Sequence, residues 1–234
     1  MQLFYTPAIQ GDISTLNETE SGHAIRVLRL SEGSTIRLVD GKGHLMKAEI
    51  TRAHPKKCEI RIIHTDPNYG KSSHYLHIAI APTKNSDRLE WFVEKATEIG
   101  INEITPILCA HSERKVIKPE RLEKVLITAM KQSLKAYLPL LNPLTSLEKL
   151  LPRVQQEGKF IAHCYAGEKK PLKELISSSS SNLILIGPEG DFSEEEVELA
   201  LRQNFRPVSL GESRLRTETA GIVACHTVNL IKNV

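Results

Sequence analysis

The sequence predicts an α/β protein with a small strand-rich N-terminal part and a larger part built on a mainly parallel sheet. Residues 1–66 contain short apolar alternations separated by turn residues, as in consecutive strands. After the Pro67–Ser73 segment, short apolar strands alternate with amphipathic helices, a pattern typical of a sheet covered on both faces. We therefore predict two domains, at residues 1–68 and 74–234.

The N-terminal part contains a strong hairpin signal. Asp40-Gly41-Lys42-Gly43 separates the predicted strand Ile36–Val39 from its returning partner, Met46–Thr51. A helix is predicted over Ser21–Arg29 and a further strand over Cys58–Ile63. This pattern suits a small β-barrel of the kind found in RNA-binding appendages.

The larger part begins with a buried strand, His77–Ala81, and a helix over Ser86–Ile99 that Gly100 ends. A second helix, Pro119–Leu134, carries its apolar residues on one face and proline at its start. The remaining predicted strands are Ile104–Cys109, Lys159–Cys164, Leu183–Ile186 and Pro207–Leu210.

Charge is unevenly distributed along the chain. The formal net charge is only +3, but residues 23–61 are rich in Lys and Arg. Such a basic region indicates contact with a polyanion, although solvated strand faces would have the same composition. No apolar run approaches the ~20 residues that span a bilayer, and Met1–Tyr5 lacks the features of a signal peptide. We expect a cytoplasmic protein that does not contact membranes.

The histidines and cysteines do not indicate a metal site. The four cysteines are far apart without CxxC spacing, and no histidines occur as HxH or HxxxH. We expect no metal and no disulfide framework, with the cysteines acting as small, partly buried apolar residues.

The first candidate functional segment is Asn182–Ser193, in which a buried strand enters a Gly-Pro-Glu-Gly turn. Ser193 and Glu196 predict a capping box at the start of the next helix. Ligands bind beyond the carboxyl ends of parallel strands, but Asp191 and three glutamates in the first helical turn would repel a phosphate. A neutral or cationic ligand suits this loop better, and an ordinary strand-to-helix turn is the alternative.

The second segment, Val208–Ala220, leaves a strand through Gly211 and enters a final helix, Ala220–Ile231. That helix is apolar on several faces, which indicates docking into the domain, a subunit interface, or both. The polar cluster before the helix, from Arg214 to Thr219, is compatible with a binding role or with simple helix capping.

Together these two segments resemble the SPOUT methyltransferases, specifically the ribosomal small subunit methyltransferase E family. The resemblance rests on Leu-Ile-Gly-Pro-Glu-Gly at 185–190 and on Leu-Gly-x-x-x-Leu-Arg-Thr-Glu-Thr-Ala at 210–220. It extends over the whole chain through four further matches: His23–Arg29, Lys84 with Arg88, Val93–Gly100, and Ser112–Arg114.

The resemblance implies a PUA-like barrel followed by a SPOUT domain with a trefoil knot, one of the rare exceptions to unknotted chains. It also implies a homodimer that uses S-adenosylmethionine to methylate N3 of a uridine in 16S ribosomal RNA on the assembled 30S subunit. The alternatives are a SPOUT enzyme with another RNA target, such as a ribose 2′-hydroxyl, or a non-catalytic RNA-binding assembly factor.

The resemblance also implies site residues of three kinds. Cofactor contacts are expected from Ile186, Gly187, Pro188, Glu189, Gly190, Leu210, Gly211, Leu215, Arg216, Thr217, Thr219, Ala220, His163 and Cys164. RNA contacts are expected from His23, Arg26, Arg29, Lys84, Arg88, Arg114 and Lys135. Arg216 would steady negative charge on the base or its phosphate, and Glu189 and Glu218 are candidate proton acceptors, although Glu218 could simply pair with an arginine.

Two positions depart from the family pattern. Asp191 stands where relatives often have another glycine, which raises the question of how the loop keeps its shape. Lys135 stands where relatives often have arginine, so the positive charge remains but the bidentate fork is lost.

Overall fold

A computed structural model of the chain describes residues 2–9, 11–176 and 179–232. These residues form two compact units. The first consists of Met1–Lys71 together with Ile127–Leu138, and the second of Ser72–Leu126 together with Pro139–Val234. The first unit therefore takes in one segment from the later part of the chain.

The first unit is built on a five-stranded sheet of order β1-β3-β4-β5-β2. β3 and β4 pair across the predicted Asp40–Gly43 turn, with Val39 opposite Leu45. β1 and β2 are the two edge strands of this sheet, and no pairing between them is present among the described residues. The described strands therefore do not close into the expected barrel. The strands are β1 (Leu3–Tyr5), β2 (Ile13–Thr15), β3 (Thr35–Val39), β4 (Leu45–Arg52) and β5 (Glu59–Asp66).

The predicted helix Ser21–Arg29 is wrong at both ends. Helix α1 spans Glu18–Gly22 because the Asn17 side chain caps it, accepting from the Glu20 amide at 2.9 Å. A π-helical turn, His23–Val27, continues it, and Arg29 then adopts a left-handed backbone with φ of 55°. One face of the sheet packs under this helical region, around Phe4, Leu38, Ile50 and Ile60.

The 127–138 segment covers part of the opposite face of this sheet. Met130 and Ala136 are buried against Leu3, Val39 and Leu45. Lys131 Nζ also donates to the buried carboxylate of Glu20 at 2.5 Å. Apolar contacts and one ion pair therefore fix this segment within the first unit.

The second unit is built on an eight-stranded sheet in which every pair is parallel, as predicted. The strand order is β11-β13-β10-β12-β6-β7-β8, with β9 also paired to β7. The strands are β6 (Tyr75–Ile80), β7 (Glu103–Leu108), β8 (Leu140–Leu141), β9 (Thr145–Ser146), β10 (Gly158–Ala162), β11 (Lys170–Pro171), β12 (Ser181–Ile186) and β13 (Arg206–Ser209).

The longer helices have identifiable start and stop signals. The Asn85 side chain caps α2, and Gly100 ends it with φ of 130°. The predicted helix Pro119–Leu134 ends at Gln132, and Leu134 is left-handed with φ of 55°. The helices are α2 (Ser86–Ile99), α3 (Pro119–Gln132), α4 (Leu147–Leu150), α5 (Leu172–Leu175), α6 (Glu194–Arg202) and α7 (Thr217–Lys232), with a 3₁₀ turn at Leu151–Arg153.

β12 lies at the centre of the second sheet, between β10 and β6. Its residues Leu183–Ile186 are almost completely buried, which explains why they form a continuous apolar run rather than an alternating one. α7 begins at Thr217, three residues before its predicted start, and packs along α2. The paths of α7 and β12 bring together the two candidate functional segments, Asn182–Ser193 and Val208–Ala220.

Three cysteines, Cys58, Cys109 and Cys225, are buried, as expected of small apolar residues. Cys164 differs because it is exposed. Among the described residues, no helix is long and apolar enough to cross a membrane.

The packing of α7 on α2 predicts the effect of one substitution. A Cβ at Gly221 would lie 2.6 Å from the ring of Phe92, which is completely buried and has no room to move. We expect Gly221→Ala to lower the free energy of unfolding by about 1–3 kcal/mol, although alanine favours a helix by ~1 kcal/mol. Denaturant unfolding followed by circular dichroism measures the change.

Gly22→Ala is the matched control. Gly22 has helical angles, and its Cβ would meet only the Pro55 carbonyl oxygen, at 3.6 Å. This substitution should leave stability unchanged or raise it by up to ~1 kcal/mol. The close-packing account would be contradicted if Gly221→Ala were as stable as the wild type.

Candidate functional site

An open cleft of about 890 Å³ lies at the carboxyl ends of three adjacent parallel strands, β10, β12 and β13. Loops after these strands and the start of α7 supply nearly all of its walls. This is the place where open parallel sheets bind ligands. The lining residues are Arg88, Ala162, His163, Cys164, Lys169, Ile186, Gly187, Pro188, Glu189, Gly190, Asp191, Val208, Ser209, Leu210, Gly211, Glu212, Ser213, Arg214, Leu215, Arg216, Thr217 and Ala220.

The 187–193 loop, which joins β12 to α6, forms the floor of the cleft and is attached to its neighbours by Asp191. Asp191 Oδ2 accepts from the Cys164 amide at 2.6 Å, and Oδ1 accepts from the Phe192 amide at 2.8 Å. The Asp191 backbone is left-handed, with φ of 64°. That conformation explains why a glycine suits this position, since glycine adopts it without steric cost. In this chain an aspartate adopts the left-handed backbone conformation, and its side chain joins the loop to the end of β10.

The same loop is attached on its other side to residues that follow β7. His111 Nδ1 lies 3.0 Å from the Gly190 carbonyl and 3.1 Å from that of Asp191, so Nδ1 carries the proton and donates. The predicted capping box at Ser193 and Glu196 is confirmed. The second oxygen of Glu196 accepts from the Ala110 amide at 2.8 Å. This carboxylate thus satisfies backbone donors from two separate segments.

Glu189 links the loop to the segment after β6. Its Oε1 accepts from the Lys84 amide at 3.0 Å, while its Oε2 is buried without a partner among the described residues. Arg114 holds the same segment by donating to the carbonyls of Thr83, at 3.1 Å, and Lys84, at 2.7 Å. Because an unpaired buried acceptor is costly, Glu189 Oε2 is well placed to accept a hydrogen bond from a bound molecule.

The start of α7 closes the cleft. Buried Thr217 donates from Oγ1 to the Gly187 carbonyl at 3.0 Å. This bond joins the Val208–Ala220 segment directly to the Asn182–Ser193 segment. Arg216 is exposed at the rim, immediately before the helix. The first amides of a helix lack intrahelical partners and carry positive partial charge, so this end of α7 favours negative charge in front of it.

His163 forms part of the third wall. Burial lowers the pKa of His163, and the positive charge of Lys169 lowers it further. The negative charge of Asp191 opposes both effects but does not cancel them. The ring is therefore neutral near pH 7, and its buried Nδ1 has no partner among the described residues. Next to it, the pKa of the Cys164 thiol is raised by partial desolvation from the surrounding loop, although the residue is exposed, and by the negative charge of Asp191. The thiol therefore stays protonated and unreactive.

The structure brings almost all of the expected cofactor residues together. Thirteen of the fourteen line the cleft, and the exception is Thr219. Thr219 and Glu218 instead line a smaller adjoining cavity of about 480 Å³ with Asp87, Arg88, Trp91 and Arg216. Their roles as ligands stay predictions, but the strand-end geometry that the sequence predicted for them is present.

The expected RNA-contact residues lie in both units. His23, Arg26, Arg29 and Lys135 belong to the first unit, where Arg26 and Arg29 are exposed. Lys84, Arg88 and Arg114 belong to the second. Lys84 Nζ pairs with Glu113 at 2.9 Å, and Arg88 Nε lies 3.8 Å from Glu218 Oε1. Arg114 differs from the others because its guanidinium group donates to the backbone carbonyls of Thr83 and Lys84.

Some lining residues were not expected from the sequence. Lys169 donates to the carbonyls of His163 and Tyr165 and shapes the loop after β10. Glu212 also lines the cleft. The strand-end rule could have indicated Lys169, because it follows β10 by only a few residues. Among the described residues, no group of His, Cys, Asp or Glu could hold a metal ion.

This fold and cleft place the chain in a known class of RNA-modifying enzymes. A sequence model of the RNA methyltransferase domain matches residues 71–229, and one of the RNA methyltransferase PUA domain matches residues 16–63. A relative from Bacillus subtilis, ribosomal RNA small subunit methyltransferase E, is 30% identical over 223 residues, covering 90% of this chain and 87% of its own. The chain belongs to the ribosomal RNA small subunit methyltransferase E family.

Two solved structures agree with this assignment. A probable rRNA methyltransferase from Porphyromonas gingivalis is 42% identical, with a TM-score of 0.94 over 100% of this chain and 99% of that one. Ribosomal RNA small subunit methyltransferase E from Neisseria gonorrhoeae, bound to S-adenosyl methionine, is 26% identical, with a TM-score of 0.83 over 96% and 95%. The overall fold therefore matches enzymes of this family along nearly the whole chain.

The attachments of Asp191 predict an ordered series of stabilities. Asp191→Gly keeps the left-handed backbone but removes both accepted hydrogen bonds, so we expect the free energy of unfolding to fall by about 1–3 kcal/mol. Asp191→Ala should lose a further ~1 kcal/mol because its Cβ disfavours that backbone. Denaturant unfolding followed by the fluorescence of Trp91, the single tryptophan of the chain and a residue of α2, measures both.

Asp191→Asn is the control, since asparagine tolerates a left-handed backbone and keeps one oxygen acceptor. It should lose less stability than Asp191→Gly. A glycine variant as stable as the wild type would show that the bond to the Cys164 amide contributes nothing. An alanine variant as stable as the glycine variant would contradict the backbone argument.

Proposed function

We propose that the protein transfers a methyl group from S-adenosylmethionine to N3 of a uridine in 16S ribosomal RNA, within the assembled 30S subunit. The single observation that carries this proposal is the cleft at the ends of β10, β12 and β13, where Glu189 has a buried oxygen without a partner among the described residues. Family membership supports the reaction class, and the S-adenosyl methionine named for the Neisseria gonorrhoeae relative supports the methyl donor.

The charges of the cleft suit S-adenosylmethionine, which combines a sulfonium and an ammonium group with one carboxylate. The lining includes both signs: Glu189, Asp191 and Glu212 against Arg88, Lys169, Arg214 and Arg216. Two polar atoms, Glu189 Oε2 and His163 Nδ1, are buried and lack partners among the described residues. A ligand with several donors and acceptors would satisfy both, whereas an apolar ligand would leave them unpaired.

When bound, S-adenosylmethionine supplies an electrophilic methyl group. Uridine N3 carries a proton at neutral pH, so the chain must remove that proton and stabilise the resulting anion. Glu218 and Glu189 are the proposed proton acceptors, because both are carboxylates with a buried oxygen that has no partner among the described residues. Arg216 at the rim supplies positive charge where the anion forms, and the amino end of α7 reinforces it.

The proposed RNA surface includes charged side chains from each unit. In the first unit, His23, Arg26, Arg29 and Lys135 are assigned to RNA phosphates, and the match to an RNA methyltransferase PUA domain over residues 16–63 supports this. In the second unit, Lys84 and Arg88 are assigned to RNA near the cleft. The family resemblance adds Arg114, whose bonds to the Thr83 and Lys84 carbonyls also favour an indirect role through Lys84.

We further propose a trefoil knot and a homodimer. The segment after β13 passes the 187–193 loop, to which Thr217 binds, before α7 packs on α2 and α5. This contact between the loop and a later segment is compatible with threading of the chain. Leu230 and Ile231, near the end of α7, are 56% and 36% exposed, so the helix retains apolar surface that a second copy of the chain would cover.

The test uses methyl-labelled S-adenosylmethionine and small ribosomal subunits from cells that lack the endogenous enzyme. We expect label in the RNA of the small subunit, recovered as 3-methyluridine after digestion and nucleoside mass spectrometry. Free 16S RNA, assayed in parallel, shows whether the assembled subunit is the substrate.

Other outcomes of this assay have distinct meanings. Label recovered as a 2′-O-methyl nucleoside would identify a different RNA target and contradict the N3 assignment. Measurable cofactor binding without transfer to small subunits would also indicate another RNA. Absence of both cofactor binding and transfer would favour an RNA-binding assembly factor over an enzyme.

A further inference from the structure

The smaller cavity beside the cleft has a composition that the methyl-donor site does not require. It is lined by Asp87, Arg88, Trp91, Arg216, Glu218 and Thr219. It shares Arg88 and Arg216 with the main cleft, so a group bound in it would lie next to a ligand of the cleft. The two cavities therefore suit the two partners of one transfer reaction.

The side chains of this cavity include both hydrogen-bond donors and hydrogen-bond acceptors. Glu218 can only accept when ionised, and Arg88 and Arg216 can only donate. Glu218 is 7% exposed, Arg88 Nε lies 3.8 Å from its Oε1, and its Oε2 has no partner among the described residues. Rotation of the carboxyl about its last torsion exchanges the two oxygens. A donor on a bound ligand would therefore complete the coordination of this buried carboxylate.

The imide edge of uracil has the complementary order. Its N3–H donor lies between two carbonyl acceptors, O2 and O4, so one carboxylate and two guanidinium groups can pair with all three. Cytosine presents an unprotonated N3, and its lone pair would face the Glu218 carboxylate. A site whose buried polar groups are matched by one base and left unpaired by another discriminates strongly between them.

Trp91 adds a surface for the face of the ring. It lies on α2 with 43% of its surface exposed, so its ring is accessible to a ligand. Aromatic side chains of this kind stack on unpaired RNA bases. Asp87, the other carboxylate of the cavity, lies 3.4 Å from Arg121 Nη2, which reduces its repulsion of a nucleotide.

We propose that this cavity binds the target uracil, with Trp91 stacked on its face and Glu218 between Arg88 and Arg216 at its imide edge. This assignment rests on the proposed function and adds to it the site of the base. The N3–H bond breaks with its electron pair staying on nitrogen, and the proton passes to the Glu218 carboxylate. N3 then has a free lone pair for the methyl group, and the two arginines with the amino end of α7 stabilise the anionic ring.

Binding without turnover tests the stacking role. Small subunits that lack the modification are titrated with protein in the presence of S-adenosylhomocysteine, so that no methyl transfer occurs. We expect Trp91→Ala to weaken binding about ten-fold, and Trp91→Phe, which keeps an aromatic ring, to stay within about three-fold of the wild type. Tyr69→Ala, which removes an aromatic residue that is 41% exposed in the first unit, should leave binding unchanged.

Single-turnover methyl transfer tests Glu218. Glu218→Gln keeps the shape of the side chain but cannot take up the proton, so we expect the rate to fall by about 10²–10⁴-fold. Its affinity for S-adenosylhomocysteine should stay within about three-fold of the wild type. The control, Glu123→Gln, changes an exposed carboxylate of α3 and should react at the wild-type rate.

Failure of this inference is distinguishable from failure of the proposed function. If the wild type forms 3-methyluridine while Trp91→Ala binds normally or Glu218→Gln reacts normally, the cavity is not the base site and the proposed function stands. A change of oligomeric mass in Trp91→Ala would assign Trp91 to a subunit contact and would also overturn the inference. If the wild type forms no 3-methyluridine, the proposed function itself fails.

Discussion

The attachment of the 187–193 loop to four neighbouring elements is the constraint on which the rest of the site depends. Asp191 binds the amide after β10, Glu189 binds the amide of Lys84 after β6, and His111 after β7 binds the loop carbonyls. Thr217 attaches the same loop to α7. Because these bonds come from different parts of the sheet, the cleft keeps its shape only when the whole second unit is folded.

The acidic residues around this loop are mainly backbone acceptors. From the sequence alone, Asp191 and the first-turn glutamates of α6 are expected to repel phosphate. In the structure, Asp191 accepts from two amides, and Glu196 accepts from Ser193 and Ala110. The carboxylates of Asp191 and Glu196 therefore stabilise the loop, and that of Asp191 also contributes negative charge to the cleft.

Features set by local sequence were predictable. The capping box of α6 and the end of α2 at Gly100 follow from neighbours along the chain, and the structure confirms them. The strands predicted over His77–Ala81 and Leu183–Ile186 are present as Tyr75–Ile80 and Ser181–Ile186. The residues of the cleft follow strand ends, where parallel sheets bind ligands, but their individual assignment came from the family resemblance. The family resemblance added the pairing of two distant segments, which periodicity alone does not reveal.

Features set by long-range contacts were not predictable. Helix α1 begins earlier than predicted because Asn17 caps it, and the 127–138 segment joins the first unit because Met130 and Ala136 cover its sheet. Nothing in the residues around Asp191 or Arg114 specifies their distant partners, the Cys164 amide and the Thr83 and Lys84 carbonyls. Such bonds depend on the order of strands in the sheet, which local patterns do not encode.

Calorimetric titration of the purified protein with S-adenosylmethionine tests the central claim most directly. If the 187–193 loop forms the floor of a methyl-donor site, one molecule should bind per chain, S-adenosylhomocysteine should compete, and ATP, with its phosphates, should not. Saturable binding of ATP in place of S-adenosylmethionine, or absence of binding by the folded wild-type protein, would contradict the account.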